Sequence, residues 1–286
     1  MQALIQNDSR IDHDTLMRMQ AIMLDLMKAF DAVCREHHLT YYLSGGTMLG
    51  AVRHKGFIPW DDDADVVMPR RDYEVMLEHA HEWFPEYYEL VEPRKNPHYP
   101  YQFARLQDNR TNYILVRQFD FVGGVPLDVF PLDEMPPKGL LRRWHFLKIS
   151  FYTKLLYYGL INPNKHGRGL YSLFIKLMHR LVPLAAVHNR LDAIQKEFEG
   201  KGLGYVTNHF NTKDNNVFPQ GVYGNPQRVP FESIEVNGME RPVDYLVPSY
   251  GDYMQPPKKL PGLNFRFMDL DKPWKEYIEE QKTRNA

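Results

Sequence analysis

The sequence predicts an α/β protein of the α+β kind, a mixed sheet with packed helices, interrupted by a basic helical insertion. Three observations predict it. Apolar residues recur at helical spacing over Asp14–His38. Short β-prone runs then alternate with Gly- and Pro-containing loops. Charge is also split along the chain. From Met135 to Leu191 there is no acidic residue, and ten Lys and Arg give +10; net charge is −1, so the rest carries −11. Such a split marks a segment that meets an anionic surface.

Each element follows in order. In the first helix Leu16, Met19, Met23, Leu26, Phe30 and Val33 form one stripe, with Asp12 or Asp14 as cap. Its methionines read as core filler. Thr40–Leu43 is a short strand ending at Ser44-Gly45-Gly46, and a helical turn, Thr47–Val52, follows. "RHKGFIPW" is a loop and "ADVVM" a second strand, with Asp63 and Asp65 alternating onto one face. Asp72 is expected to cap the helix "YEVMLEHAHEWF". "YPYQFARLQ" and "TNYILVRQF" read as strands around a turn at Asp108-Asn109-Arg110. A short strand, Pro126–Phe130, holds Asp128 in its middle. Residues 140–198 read as helix broken near Asn162-Pro163-Asn164 and at Pro183. Short strands and Pro-rich loops follow Gly204, and a last helix spans Trp274–Lys282. The expected division is a core over 1–134, a basic aromatic-rich insertion over 135–204, and a C-terminal part, 205–286, that completes the core.

Composition narrows the function. A chain of 286 residues, 43% hydrophobic, buries one sizeable core. Near-neutral charge argues against a nucleic-acid binder. "MQALIQNDSR" does not read as a signal peptide, and no apolar run reaches membrane-spanning length. Cys34 is the only cysteine, so neither a disulfide framework nor a cysteine zinc site forms within the chain. A cytoplasmic setting is expected.

The chemistry concentrates in "GFIPWDDDADVV", Gly56–Val67, where four aspartates fall within five positions. Crowded carboxylates repel and resist burial. A solvated turn is one reading. A calcium loop is excluded, because counting from Asp61 the sixth residue is Val66, not Gly, and the twelfth is Asp72, not Glu. The third reading is magnesium. An Asp-x-Asp pair on a strand sets two carboxylates roughly 6–7 Å apart on one face, and the apolar flanks favour it. "LSGGTMLG" is either a simple turn or a phosphate cradle at a helix N-terminus. Asp128, inside an apolar strand, is either salt-bridged or facing a cation.

The order strand, Gly-Gly, helix, Asp-x-Asp, then a strand with a lone Asp resembles the nucleotidyltransferase superfamily, with its polymerase-β-like palm. More narrowly, "LSGGTMLGAVRHKGFIPWDDDADVVMPRRDY" resembles the LicD family, related to the fukutins and including phosphocholine transferases. "ARLQDNRT", "PLDVFPLD" and "VDYLVPSYGDYMQPP" extend the resemblance over most of the chain; it is weakest in the basic segment. Fukutin-type relatives can carry a cysteine zinc site, which one cysteine rules out within this chain.

The resemblance implies a transferase that moves phosphocholine, or a similar head group, from CDP-choline or another CDP-ester to a hydroxyl of a lipid-linked cell-surface glycan, such as a teichoic-acid or lipopolysaccharide precursor, releasing CMP. Asp63, Asp65 and Asp128 would hold Mg2+, one ion or two, with Mn2+ as a substitute; Asp128 would otherwise take the acceptor's proton. Asp61 and Asp62 read as turn or supporting residues. Ser44, Gly45, Gly46 and Thr47 would bind phosphate, with Arg53, Lys55, Arg71 and Arg105 as phosphate cations. His54 reads as loop packing. Tyr41, Tyr42, Trp60 and Tyr73 are candidate choline contacts. The alternatives are a nucleotidyltransferase that uses a nucleoside triphosphate and releases pyrophosphate, and a non-catalytic glycan- or nucleotide-binding homologue. The basic segment, 138–180 above all, mixes cations with aromatics and suits peripheral contact with an anionic membrane at its inner face, or with a polyanionic acceptor.

Overall fold

In this computed structural model, residues 11–115, 121–162, 169–257, 262 and 265–285 are described. The chain begins with α1 (His13–Glu36), capped by Asp12, whose carboxylate accepts the Thr15 N–H at 2.9 Å. The stripe read from sequence is the buried face, fully so at Met19, Met23, Leu26 and Phe30. There follow β1 (Tyr42–Leu43), α2 (Gly45–Arg53), β2 (Asp65–Pro69), α3 (Arg70–Trp83), β3 (Tyr88–Val91), β4 (Ala104–Leu115) and β5 (Val122–Met135). Then come α4 (Leu140–Leu160), α5 (Leu170–Leu181), α6 (Leu184–Gln195), β6 (Tyr205–Thr207), β7 (Phe218–Pro219), β8 (Gln227–Phe231), β9 (Ile234–Gly238), α7 (Pro242–Tyr250), β10 (Phe265–Asp269) and α8 (Trp274–Asn285).

The main sheet runs β1-β2-β5-β4-β10, with β3 also on β4 and β6 linking β5 to β7. β2 and β5 are parallel; the other pairs are antiparallel. The fold is therefore mixed α/β. One large apolar core packs α1, α2 and α3 against the sheet, while α4, α5 and α6 share a smaller cluster of their own around Ile149, Leu156, Leu191 and Ile194.

Several elements differ from expectation. β4 runs straight through Asp108-Asn109-Arg110, which is no turn. Its register with β5 shifts between Asp108 and Tyr113, and Asp108 accepts the Arg110 N–H at 3.0 Å, so the polar trio sits in a bulge. The remainder of that expected strand, Val116–Phe119, lies outside the described residues, as do Pro163 and Asn164 of the expected helix break. β5 continues through both Pro126 and Pro131, at which the sequence reading stopped; each forfeits one ladder donor inside a strand buried along nearly its whole length. Asp72 does not cap α3, which starts after Pro69. Instead its carboxylate accepts the Thr40 N–H at 2.8 Å, tying the entry of β1 to α3.

A carboxylate cleft on the glycine turn

Strand pairing assembles the site. In the parallel β2–β5 ladder Asp65 stands opposite Asp128; in the antiparallel β4–β5 ladder Asp128 stands opposite Arg105. The three form one row across adjacent strands, where side chains at one register share a face. Asp63 lies just ahead of β2 rather than within it. It is joined to the row electrostatically, since Asp128 acts on it and it acts on Asp65. The loop is fixed from behind by the buried Gln20 amide, which donates to Asp61 O at 3.0 Å and Ile58 O at 3.3 Å.

The Gly-Gly turn lies against these acids. Gly45 has a φ of +54°, in the left-handed region, and a Cβ there would lie 2.7 Å from Asp65 Oδ2. A Cβ on Gly46 would lie 2.8 Å from Asp61 Oδ2. At Gly45 the left-handed backbone favours glycine, and at Gly46 a Cβ would have to displace the Asp61 carboxylate. Ser44 N–H donates to Asp65 O at 3.0 Å, and Asp65 N–H donates to Thr47 Oγ1 at 2.8 Å. Thr47 is thus a brace between α2 and β2, not a group facing the cleft. Gly45 N–H donates to the Tyr245 hydroxyl at 3.0 Å, and Ser44 Oγ lies 3.3 Å from the same hydroxyl.

These residues floor a cleft of about 780 Å³. Ser44, Gly45, Gly46, Asp61, Asp63 and Asp65 lie on one side. Asn208, Phe210, Asn211 and Asn216 come from the β6–β7 connection, and Tyr245, Tyr250 and Tyr253 from α7 and beyond. Arg53 also lines it. Its guanidinium lies over the Trp60 ring at 5.9 Å and donates to Tyr253 O at 2.8 Å. His54 accepts from Arg53 Nε at 2.8 Å, a loop-packing role.

The electrostatics are unbalanced. Burial, then Asp62, pushes the Asp61 carboxyl up to about 7, with Arg53 pulling the other way. Burial, then Asp61, Asp62 and Asp128, pushes Asp63 up to about 8. Burial, then Asp63 and Asp128, holds Asp65 well above the carboxylate range. Arg105 opposes the last two only in part. It is committed to Asp128, with Nε and Nη2 donating to the two carboxylate oxygens at 2.6 and 2.8 Å, and it is buried behind the row over Tyr101. The salt-bridge reading of Asp128 is therefore realised, and neither Asp128 nor Arg105 is among the residues that line the cleft.

The donor set suits a hard divalent cation: carboxylate oxygens only, mutually repelling and recessed. Among the described residues no group of three or more His, Cys, Asp or Glu side chains is arranged as metal ligands. Asp63 and Asp65 lie beside the Arg105–Asp128 pair, and each Asp128 oxygen keeps a second lone pair.

Some expectations fall elsewhere. Lys55 is exposed at a φ of +62° and Arg71 is exposed on α3; neither lines the cleft. Tyr41 is buried with its hydroxyl donating to Asp31 at 2.6 Å. Tyr42 donates to Gly224 O at 2.6 Å, and Tyr73 is buried beside Arg70. Of those four aromatics only Trp60 lines the cleft. Sequence reasoning gave no role to Tyr245, Tyr250 or Tyr253, although they sit in "VDYLVPSYGDYMQPP". It also passed over the asparagine-rich run "NHFNTKDNN" (208–216), whose density of carboxamides was the available signal.

Known proteins resemble this chain in part or over most of its length. Residues 38–137 match the family model described as LicD/FKTN/FKRP, nucleotidyltransferase domain. The chain is 28% identical over 255 residues to the lipopolysaccharide cholinephosphotransferase LicD of Haemophilus influenzae, covering 85% of this chain and 92% of that protein. Shorter stretches match two uncharacterised proteins: 34% over 67 residues in Rickettsia typhi and 40% over 50 residues in Rickettsia prowazekii, each about a fifth of either chain. The chain thus carries a match to the LicD family model over residues 38–137 and is similar to a LicD protein over most of its length.

Proposed function

We propose that the cleft moves a phosphocholine-type head group from a CDP-ester to a hydroxyl of a lipopolysaccharide or related glycan precursor. The chain is a LicD-type phosphotransferase. The observation that carries the reading is the row Asp65–Asp128–Arg105, with Asp61 and Asp63 crowded onto a glycine turn. Such an excess of recessed negative charge is costly in a resting protein and useful only against a cation.

Asp63 and Asp65 would hold Mg2+, and Asp128, oriented by Arg105, would either complete the set or take the acceptor's proton. When bound, the ion neutralises charge on the donor diphosphate and aligns it. The remaining work belongs to the chain. The start of α2, at Gly45 and Gly46, would take phosphate oxygens once a bound cation offsets the adjoining Asp61 and Asp65 carboxylates. Arg53 supplies a phosphate cation at the cleft wall. The acceptor oxygen–phosphorus bond forms as the phosphorus–oxygen bond to CMP breaks, the acceptor's proton passing to Asp128 in the second of its two roles and otherwise to water. Trp60, Phe210, Tyr250 and Tyr253 offer ring faces to a quaternary ammonium. The catalytic part is a nucleotidyltransferase-type core over 1–134 completed by 205–286, with 135–204 inserted between β5 and β6.

The test is CMP release from CDP-choline with magnesium and a glycan acceptor, beside Asp63→Asn and Asp128→Asn. Magnesium-dependent release, lost in both variants, supports the reading. Pyrophosphate release from a nucleoside triphosphate moves the protein to the nucleotidyltransferases. Reaction with neither donor leaves a binding protein.

A further inference from the structure

We propose that α4 and α5 form a docking surface for an anionic lipid bilayer, lying on the membrane rather than crossing it. The two helices are turned inside out. On α5, Leu170, Leu173, Phe174, Leu177 and Leu181 recur at helical spacing, and this apolar stripe faces solvent while Ser172 and Ile175 are buried. On α4, Leu140, Trp144, Leu147 and Phe151 form a second outward stripe, whereas Arg142 and His145 are buried. Among the described residues, eleven of the eighteen exposed large apolar side chains lie on these two helices, at 42–87% exposure. A monomer gains nothing by holding so much apolar surface in water.

Charge selects the partner. Arg143, Lys154, Lys176 and Arg180 are exposed on the same helices and make no ion pair among the described residues. No acidic side chain occurs between Met135 and Leu191 to oppose them. Apolar stripes rimmed by unopposed cations fit the headgroup–acyl boundary of an anionic bilayer, whereas a protein partner of mixed charge would leave the cations unmatched. Among the described residues no single helix is long and apolar enough to cross a membrane; Leu170–Leu181 and Leu184–Phe198 pass only as a pair bent by 78°. In that second helix Val187, Leu191 and Ile194 are already buried in the α4–α6 cluster. The surface also connects to the cleft. The inner side of α4 holds the 208–216 wall through His145–His209 at 3.0 Å, Ser150–Thr212 at 3.2 Å and Arg142–Asp214 at 3.3 Å. Docking through α4 therefore sets the cleft rim beside the bilayer. The proposal does not depend on which group is transferred.

The experiment is co-sedimentation of the full chain with vesicles of phosphatidylcholine alone and of phosphatidylcholine mixed with phosphatidylglycerol. Binding is expected with the anionic vesicles. Leu173→Gln with Leu177→Gln, and separately Trp144→Gln with Leu147→Gln, should each weaken it more than about tenfold. Lys176→Gln with Arg180→Gln should weaken it by about fivefold per charge removed. Met17→Gln, exposed on α1, should leave it unchanged. All of these positions are exposed, so thermal melts should be unaltered. Absence of binding, or equal binding to both vesicles, overturns the proposal. So does a dimer in sedimentation velocity that the leucine substitutions dissociate while vesicle binding is absent.

Discussion

Asp128 and Asp133 lie on the same strand, β5, and belong to two buried ionic clusters of opposite character. Around Asp133 every charge is met. Arg70 Nε and Nη2 donate to its two oxygens at 2.6 and 2.7 Å, and the same guanidinium reaches Glu74 at 3.2 Å and Asp192 at 3.3 Å, which Lys196 also serves. On the other side His209 Nδ1 lies 3.1 Å from Asp133 Oδ2, His209 Nε2 lies 3.0 Å from His145 Nε2, and His145 Nδ1 lies 3.0 Å from Glu197. The pattern is met when His209 Nδ1–H donates to Asp133 and His145 Nδ1–H donates to Glu197. Burial alone would raise Asp133; Arg70 and then His209 outweigh it and bring the carboxyl to about 2. In the cleft, burial acts with like charges, and Asp63 rises to about 8. The same residue type is structural where cations outweigh burial and suited to chemistry where burial and like charges act together.

That contrast can be broken. The largest expected effect is on turnover: Asp65→Asn should lower kcat/KM more than about a thousandfold, roughly 4 kcal/mol. It should leave the metal-free melting temperature unchanged or higher, because a like charge is removed. A clear loss of stability would place Asp65 with Asp133. The converse holds for Asp133→Asn, which strands Arg70 in the interior and should cost about 3–5 kcal/mol in urea unfolding. A cost near zero would show that the Arg70 cluster does not hold the fold.

Acid sharpens the comparison. Burial, first of all, lowers His145 from 6.5 to about 4, so below pH 6.5 the unfolded chain takes up a proton that the folded one refuses. Stability should then fall as pH drops from about 6.5 to 4, by up to about 3 kcal/mol, and His145→Gln should flatten that slope in pH-dependent unfolding. Asp133 is depressed, so its contribution is present above about pH 4 and lost as pH falls toward 2. A smaller effect belongs to Gly46→Ala, which displaces the Asp61 carboxylate: about tenfold in turnover, with a stability change below about 1 kcal/mol. Smallest are Lys55→Ala and Arg71→Ala, both outside the cleft, which should change turnover less than about twofold.

Much of this was legible in the chain. The α1 stripe, the Asp12 cap, the glycine turn and the Asp63-x-Asp65 pair are written in local spacing. The reading failed where neighbours in space decide. Asp108-Asn109-Arg110 has turn chemistry, yet β3 and β5 hold it inside a strand. Two prolines suggested a short β5, yet pairing on both edges carried it through. Tyr41, Tyr42 and Tyr73 lie near the motif in sequence, but their side chains point into the core.

By itself the sequence determined the element types, the acidic loop, the need for glycine where the chain turns, and the charge asymmetry of the middle segment, because periodicity, turn chemistry and charge are local properties. Only the tertiary structure decided that Asp65 and Asp128, 63 residues apart, share one register, and that Arg105 is spent on Asp128. It also brought the cleft's far wall from 208–216 and α7, and turned the apolar stripes of α4 and α5 outward. The physical reason is that strand pairing and burial are set by contacts between distant segments. Those contacts, not composition, determine whether a carboxylate is neutralised or left waiting for a cation.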